Sequence, residues 1–437
     1  MSTTEDVPQV EVALPPEPPP PPPEPLRPVG ADERVETLDI LRGLALFGIL
    51  AANMRGFAGP ALTYFTPHFY WPAFPDRLAQ AFIDTFVQGK FITLFAFMFG
   101  VGFAVQLERS LTREGRFGWT YARRLFVLVL FGLIHGLLIW WGDILLVYAL
   151  TGFLLLAFRR RKDKTIIIWA IIGYSIPLLL MLAAFTASQL GAPMPAMHDP
   201  TAAQMRELTT KFADGSWSEI QVQRMKDAFG RNWAFFPVFL WHVLALFLAG
   251  VLAWRKRLFF PTAESLPKYR KAMWFGFAIG IPGNIAVVSM RWTLDLPQMP
   301  TTPLAALSNL IPAFATPALS MGYLCLVILL CNDERWLARL RRFGAIGRTA
   351  LSNYLMQSVI GTLIFYSYGL GFFGKVGPAF LLILTPVIYA ALLFASQWWL
   401  ARYRFGPVEW LWRSLTYGRS FPMIREASPL LETKLEM

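Results

Sequence analysis

The chain has 437 residues, of which 55% are hydrophobic, 15% are aromatic and only 16% are charged. Ordinary soluble domains have about 25% charged residues, so this composition excludes a typical soluble domain. The formal net charge of +12 is typical of nucleic-acid-binding proteins, but the basic residues lie in short loops between apolar runs. That distribution favours a membrane protein over a nucleic-acid partner.

The N-terminal 33 residues include the acidic, proline-rich stretch PQVEVALPPEPPPPPPEPLRPVG. Such a segment cannot bury enough apolar surface to fold, so we expect a disordered tail. It has no basic segment followed by a short apolar one, and no cleaved signal peptide is therefore expected. The two cysteines, Cys325 and Cys331, share one apolar run without metal-ligand spacing, which predicts neither a disulfide framework nor a metal site.

Ten apolar runs follow, and each approaches or exceeds the roughly 20 residues that a helix needs to cross a bilayer. Backbone groups cannot stay unpaired in lipid, so runs of this length must be helical. One such run alone would also fit a buried core helix, but ten in succession indicate an all-α, polytopic membrane protein. The predicted transmembrane helices cover residues 40–57, 91–107, 125–141, 144–158, 166–190, 235–254, 272–290, 304–331, 345–370 and 379–400.

The charge of the connecting loops alternates, and this alternation predicts the orientation. Basic residues fill the second, fourth, sixth and eighth connections, as in the segment RRRKDK at residues 159–164. Short loops rich in Lys and Arg stay in the cytoplasm. We therefore expect both termini in the cytoplasm and a multi-pass protein of the bacterial inner membrane.

Two segments are expected to lie along the membrane rather than through it. Apolar residues recur at helical spacing within residues 78–86, which indicates an interfacial helix leading into the second span. The connection at residues 191–232 is long and mixed in charge, and predicts a periplasmic cap with one or two short helices. The predicted organisation is a cytoplasmic tail at 1–33, a membrane domain at 34–419 whose C-terminal half is 235–419, and a cytoplasmic tail at 420–437.

Polar residues near the cytoplasmic ends of the first and third spans form the first candidate site. They are Asp39, Arg42, Arg123 and Arg124. Asp39 can cap the first helix or pair with Arg42. The arginines could hold the phosphates of an anionic cofactor through charge-assisted, often bidentate, hydrogen bonds. Positive-inside anchoring explains Arg123 and Arg124 equally well, and snorkelling to the interface explains Arg42.

A second candidate site lies toward the outer face, where the third span ends in HGLLIWWGD. His135 follows Arg124 by about 16 Å of helical rise, and Asp143 occupies the tight turn into the fourth span. Histidine suits general base catalysis near neutral pH, and Asp143 could orient or polarise it. The alternative is a buried histidine that hydrogen-bonds to a neighbouring helix. Asn53 and Lys90 are expected at the same depth.

Further polar residues are candidates for lining a substrate cavity, because polar groups are costly in lipid. Asn284 follows the helix breaker Pro282 in the seventh span. Asn353, Gln357 and Ser358 lie in the ninth span, where they either line a cavity or form interhelical hydrogen bonds. His68 lies in an outer loop among aromatic residues and is a second candidate base, although a hydrated interfacial histidine is the default there.

Five segments together resemble the YeiB-like bacterial inner-membrane proteins, whose C-terminal half is a domain of unknown function. They are RVETLDILRGLALFGIL, QGKFITLFAFMFGVGFA, RRLFVLVLFGLIHGLLIWWGDILLVYAL, GRTALSNYLMQSVIGTLIFYSYGLGFFG and GPVEWLWRSLTYGR, which extend over residues 34–419. Through its LDILRG segment and Asn53, this family is similar to the transmembrane acyltransferases. That group includes membrane O-acetyltransferases of surface polysaccharides and the lysosomal heparan-glucosaminide acetyltransferase.

The wider resemblance implies transfer of an acyl group, such as acetyl, from cytoplasmic acyl-CoA to an extracytoplasmic acceptor such as a glycan or lipid. Arg42, Arg123 and Arg124 would then meet the CoA phosphates, and a histidine would act as base or transient acyl carrier. In the polysaccharide enzymes the key histidine lies in the first span, where this chain has Asn53. In the heparan enzyme the key histidine follows that span, so His68 competes with His135 for this role. The depth of His135 and its neighbour Asp143 favour His135.

The sequence therefore predicts a transmembrane acyltransferase that acts without a metal. A small-molecule or lipid transporter, or a flippase, would use the same polar cavity for passage without acyl chemistry. A membrane scaffold would leave the two polar layers unexplained. Binding of CoA separates the acyltransferase hypothesis from the transporter hypothesis, because a transporter need not bind CoA.

Overall fold

The computed structural model describes residues 35–61, 71–111, 117–192, 201–229, 233–294, 296 and 300–425. Within these residues the chain forms sixteen α-helices and no β-strand, apart from one isolated bridge between Tyr403 and Ile424. The helices are α1 (Glu36–Ala58), α2 (Phe74–Phe86), α3 (Lys90–Leu111), α4 (Phe117–Ile134), α5 (Leu145–Leu155), α6 (Asp163–Gln189), α7 (Ala202–Ala213), α8 (Trp217–Asp227), α9 (Trp233–Arg255), α10 (Leu266–Leu294), α11 (Pro303–Cys331), α12 (Glu334–Leu340), α13 (Phe343–Arg348), α14 (Ala350–Phe365), α15 (Pro378–Arg402) and α16 (Pro407–Tyr417).

The all-α, polytopic membrane fold is confirmed. In the described part of the chain, 8 helical segments are long and apolar enough to cross a bilayer. They are α1, the stretch formed by α2 and α3, α4 with the turn after it, α6, α9, α10, α11 and α15. The predicted fourth and ninth spans coincide with shorter apolar helices, Leu145–Phe158 and Ala350–Phe365. Both are shorter than the roughly 20 residues of a full crossing.

Helix α1 is central to one half of the molecule, where it packs against α3, α13, α14 and α15. Glycines permit this close packing. A Cβ added to Gly43 would lie 2.1 Å from the carbonyl oxygen of Phe343, and one on Gly347 would lie 1.8 Å from that of Asp39. Because no larger side chain fits there, α1 and α13 meet backbone to backbone, as small residues allow in membrane proteins.

The other half is built from helices that pack in succession. Helix α3 packs against α9, α9 packs against α6, and α10 and α11 form an extensively packed pair. Helix α11 also contacts α3 and connects this pair to the rest of the bundle. The cavity of the candidate site is bordered by α1, α3, α4 and α5, among other helices.

The cap and the segment before α3 are both helical. Helices α7 and α8 lie in the connection predicted to form the cap, and each begins with a capping box, at Thr201 and at Ser216. Helix α2 exposes Leu78 and Phe82 and buries Thr85. Residues beyond α16 fold back, because Arg404 N–H donates to the carbonyl of Met423 at 2.8 Å. The predicted N-terminal tail, His68 and the last 12 residues lie outside the described residues.

Candidate functional site

The candidate site begins where α4 changes its helical geometry. The five residues His135–Ile139 form a π-helical turn, and the N–H of Trp140 closes it by donating to the carbonyl of His135 at 2.8 Å. Trp140 itself is extended, so the chain leaves the helix immediately afterwards. π-Helical turns are rare in proteins, and those that do occur are often found at functional sites. The turn brings the imidazole of His135 against the loop that contains Asp143.

His135 joins two other side chains in a hydrogen-bonded row. Its Nδ1 lies 2.8 Å from Oδ1 of Asp143, and its Nε2 lies 2.9 Å from Oγ of Ser358 on α14. The side chain of His135 is fully buried and Ser358 is 1% exposed. The predicted pairing of His135 with Asp143 is therefore present, and the nitrogen that faces away from Asp143 is occupied by a serine hydroxyl.

The direction of these hydrogen bonds follows from Asp143. Its second oxygen, Oδ2, accepts from the N–H of Leu146 at 2.8 Å, near the start of α5. An ionised Asp143 can only accept, and the proton of a neutral imidazole beside it would lie on Nδ1. Nε2 would then accept the hydroxyl proton of Ser358. Asp143 in this form would both cap α5 and fix the tautomer of His135.

A cavity of about 630 Å³ lies beside this row, a volume within the usual range for small-molecule and cofactor sites. Its lining includes Asp143, Trp140 and Tyr354. The ring centroid of Trp140 lies 6.3 Å from that of the His135 imidazole, and the ring centroid of Tyr354 lies 5.0 Å from it. His135 and Ser358 themselves are not lining residues. The row therefore reaches the cavity at Asp143, whereas His135 and Ser358 lie behind the lining residues.

The opposite end of the cavity is basic. Arg42 near the start of α1, Arg109 near the end of α3 and Arg124 near the start of α4 all line it. Arg348 and Arg413 line it as well. Helix α3 runs opposite to α1 and α4. The end of α3 therefore lies beside the starts of α1 and α4, and the arginines of all three helices meet at one end of the cavity. Asn53, Gln88 and Asp143 line the cavity at the other ends.

Side chains within the protein hold two of these arginines. Nη1 of Arg42 lies 3.0 Å from Oδ1 of Asp39, which also lines the cavity. The guanidinium of Arg124 lies 3.6 Å from the ring centroid of Trp412, whose indole N–H donates to the carbonyl of Arg124 at 2.9 Å. Stacked and paired guanidinium groups are pre-organised for binding anions. Arg123, by contrast, is exposed and is not a lining residue, so the structure does not bring it together with Arg42 and Arg124.

Between the two ends the wall is mostly apolar and aromatic. Phe91, Phe95, Phe99 and Leu128 line this middle part. Such a wall offers mainly apolar contacts along the middle of the cavity.

Of the five predicted cavity residues, Asn53 lines this cavity and the other four do not. Lys90 is 1% exposed and its ammonium group donates to the carbonyl of Asp84 at 2.8 Å. The amide of Gln357 donates to the carbonyl of Leu46 at 3.2 Å, and that of Asn353 donates to Oγ of Ser396 at 2.9 Å. Both are interhelical hydrogen bonds, the alternative that the sequence left open.

Asn284 is the fourth residue outside this cavity. It is buried, and its amide donates to the carbonyl of Gly280 at 2.7 Å within α10. Its side-chain oxygen accepts from the hydroxyl of Thr316 on α11 at 3.3 Å. Asn284 therefore joins α10 to α11, away from the residues that line the cavity.

The sequence did not connect several residues with the site in which the structure places them. Ser358 was predicted to line a cavity or to form an interhelical hydrogen bond, but it lies 223 positions from His135, a separation that no local pattern connects. Arg348 and Arg413 are ordinary loop and surface cations in the sequence. Only Arg109 had a signal, because it lies in the basic connection that precedes α4.

Comparisons with known proteins give the chain a family. Residues 253–419 match the family described as "Protein of unknown function (DUF418)". YxaH of Bacillus subtilis (strain 168) is 36% identical over 416 residues, which cover 90% of this chain and 96% of YxaH. YeiB of Escherichia coli (strain K12) is 34% identical over 416 residues, which cover 91% of this chain and 100% of YeiB. The chain therefore belongs to the YeiB-like family of bacterial multi-pass membrane proteins, whose C-terminal half contains the DUF418 domain.

Proposed function

We propose that this protein transfers an acyl group, such as acetyl, from cytoplasmic acyl-CoA to an extracytoplasmic acceptor such as a glycan or lipid. One observation carries the proposal. A single cavity has arginines at one end and, at the other, the carboxylate that is hydrogen-bonded to a buried histidine. This pairing of an anion-binding end with a base is what transfer from a phosphate-bearing donor requires.

The length of the cavity suits an extended donor. Arg124 and His135 are separated by about 16 Å of helical rise. CoA carries its phosphates at one end and its thioester at the end of a long, flexible arm. With the phosphates at Arg42 and Arg124, the arm would extend along the apolar wall and bring the thioester near Trp140 and Asp143.

The basic end provides binding energy, and the buried end provides the chemistry. Charge-assisted hydrogen bonds from guanidinium groups to phosphate are among the stronger protein hydrogen bonds. His135 would take up a proton at Nε2, while Asp143 holds Nδ1–H and stabilises the imidazolium that forms, as in other acid–histidine pairs. The apolar wall would protect the thioester from water.

Binding of CoA to the purified full-length protein tests this proposal. We expect calorimetric titration to show binding with a dissociation constant in about the micromolar to millimolar range that enzymes use for substrates. CoA without its 3′-phosphate should bind more weakly if the arginines contact that group. No binding of CoA or acetyl-CoA by folded protein would overturn the proposal and favour transport without acyl chemistry.

A further inference from the structure

We propose that Ser358 is the nucleophile of the reaction and carries the acyl group as an ester on its Oγ between acyl-CoA and the acceptor. This inference rests on the proposed acyl transfer and adds a covalent intermediate to it. It is carried by the row of Asp143, His135 and Ser358 and by the direction of its hydrogen bonds.

The three residues stand in the order that activates a serine. Asp143 accepts from Nδ1 of His135 at 2.8 Å, and Nε2 lies 2.9 Å from Oγ of Ser358. Because Asp143 keeps the proton on Nδ1, the lone pair of Nε2 faces the serine hydroxyl. The constellation of acid, histidine and serine is recognised by geometry and roles rather than by fold or chain order.

The direction of the Ser358 hydroxyl is unusual for a buried residue within a helix. Hydroxyl groups of such residues commonly donate to a carbonyl of the preceding turn. In this protein Thr362 donates to Val359 at 3.1 Å, and Thr385 on α15 donates to the carbonyl of Leu381. Ser358 faces the imidazole of a different helical segment instead. A merely structural serine would not need the histidine tautomer that Asp143 imposes.

Access to Ser358 involves Tyr354, which lies one turn earlier on α14. The ring of Tyr354 lines the cavity and lies 5.0 Å from the imidazole of His135. Rotation of this one side chain would open the row to a thioester held in the cavity. Until then the hydroxyl is buried, and a reactive serine is protected from water.

The chemistry balances without any further reactant. Oγ of Ser358 bonds to the thioester carbonyl carbon, the carbon–sulfur bond breaks, and His135 Nε2 moves the hydroxyl proton to the departing CoA thiolate. In the second half, the acceptor hydroxyl gives its proton to Nε2 and its oxygen bonds to the acyl carbon. The ester bond to Oγ then breaks, and the proton returns to Ser358.

Trapping the intermediate is the first test. Full-length protein in nanodiscs is incubated with radiolabelled acetyl-CoA and no acceptor, quenched in acid and digested for mass spectrometry. We expect one acetyl group on the peptide that contains Ser358, and none there in Ser358→Ala. Ser358→Cys should carry the group as a thioester that neutral hydroxylamine removes. Ser358→Ala should lower transfer to acceptor by about three orders of magnitude or more.

Ser320→Ala is the matched control, since Ser320 is 2% exposed and its hydroxyl hydrogen-bonds only to backbone carbonyls, those of Thr316 on α11 and Lys90 on α3. This variant should label and transfer like the wild type. Transfer at the wild-type rate by Ser358→Ala, or acetyl found on His135 instead, would overturn the inference while leaving the proposed function in place.

A fluorophosphonate probe separates the two proposals, because it reacts with activated serines and needs no CoA. An adduct on Ser358 that His135→Gln greatly reduces supports the nucleophile. If such an adduct formed in protein that neither bound CoA nor transferred acetyl, the donor would be wrong and the nucleophile right. Absence of both adduct and transfer would overturn both.

Discussion

The guanidinium of Arg224 on α8 donates a hydrogen bond to the carbonyl of Leu138, inside the π-helical turn that begins at His135. Gln221, one turn earlier on α8, donates to the carbonyl of Leu137 in the same turn. The last carbonyl groups of a helix have no hydrogen-bond donors within the helix. Here two side chains of the cap are the donors. The cap thus holds the segment that positions His135.

Replacing Arg224 by Met tests this role, because Met keeps apolar volume and removes the donors. Arg224 is fully buried and its Nη2 also donates to the hydroxyl of Tyr368 at 3.3 Å. Loss of hydrogen bonds from a buried charged group should lower the free energy of unfolding by about 1.5 to 3 kcal/mol. We further expect acyl transfer to fall while CoA affinity stays unchanged, because only the His135 end is disturbed.

Thermal unfolding, calorimetry with CoA and a transfer assay would measure these three quantities. Lys226→Met on the exposed face of the same helix is the control and should resemble the wild type. If Arg224→Met matched Lys226→Met in all three, the cap would not position the π-helical turn.

The basic end of the cavity predicts that two adjacent arginines differ in their contribution to CoA affinity. Arg124 lines the cavity and stacks on Trp412, whereas Arg123 is exposed and does not line it. Arg42→Gln and Arg124→Gln should each lose a contact worth about 1.5 to 3 kcal/mol, which is about tenfold to a hundredfold in CoA affinity. Arg123→Gln should bind like the wild type. If calorimetry gave all three variants the CoA affinity of the wild type, the arginines would only anchor the helices.

Glu409 predicts a pH dependence of stability. Its carboxyl accepts from the N–H groups of Leu351 and Ser352 at the start of α14, the helix that carries Ser358. Burial nevertheless raises the pKa of Glu409 above its ordinary value of 4.5. A raised pKa in the folded state means that this contribution to stability is complete below the unfolded pKa and is lost as the pH rises through the folded one.

Glu409→Gln cannot titrate and keeps an acceptor for the same N–H groups. Relative to this variant, the wild type should therefore lose thermal stability as the pH rises above the ordinary glutamate pKa of 4.5. The measurement is the unfolding temperature of both proteins as the pH rises above that value. A wild type that gained stability relative to the variant with rising pH would show that the hydrogen bonds outweigh burial and lower the pKa.

Orientation in the membrane is also testable. We expect the cap to face the periplasm and the loop between α9 and α10 to face the cytoplasm, from the alternation of basic loops. Single cysteines in place of the exposed Ser218 and Glu264, in a chain lacking Cys325 and Cys331, report this directly. An impermeant thiol reagent added to intact spheroplasts should label Ser218→Cys only. Labelling of Glu264→Cys alone would reverse the assignment.

The features that sequence alone predicted are those that depend on nearby residues. Apolar length reveals a span wherever it occurs, and His135 and Asp143 lie eight positions apart across one tight turn. The contact of Ser358 with His135 could not be found in this way, because only packing brings α14 against the π-helical turn. The turn itself depends on acceptors satisfied by a distant helix, so the sequence around it contains no sign of it.

A separate cause explains why four of the predicted cavity residues do not line this cavity. Lys90 and Gln357 are buried polar residues of apolar helices, as expected, but their side chains face neighbouring helices and not the cavity. A membrane helix is apolar toward lipid and toward protein, so its periodicity does not reveal which face meets a cavity. Depth can be predicted from position along the helix. Direction requires the packed structure.

Acyl transfer itself is the measurement that tests the proposed function most directly. Cells or proteoliposomes with each variant receive radiolabelled acetyl-CoA, and label in envelope or lipid acceptors is counted. We expect transfer by the wild type, a loss of about two to four orders of magnitude in His135→Gln, and a smaller loss in Asp143→Asn. His135→Gln should still bind CoA like the wild type, which separates loss of chemistry from loss of fold. Full transfer by His135→Gln would contradict the role of His135, and no transfer by a wild type that binds CoA would contradict the proposed acyl transfer.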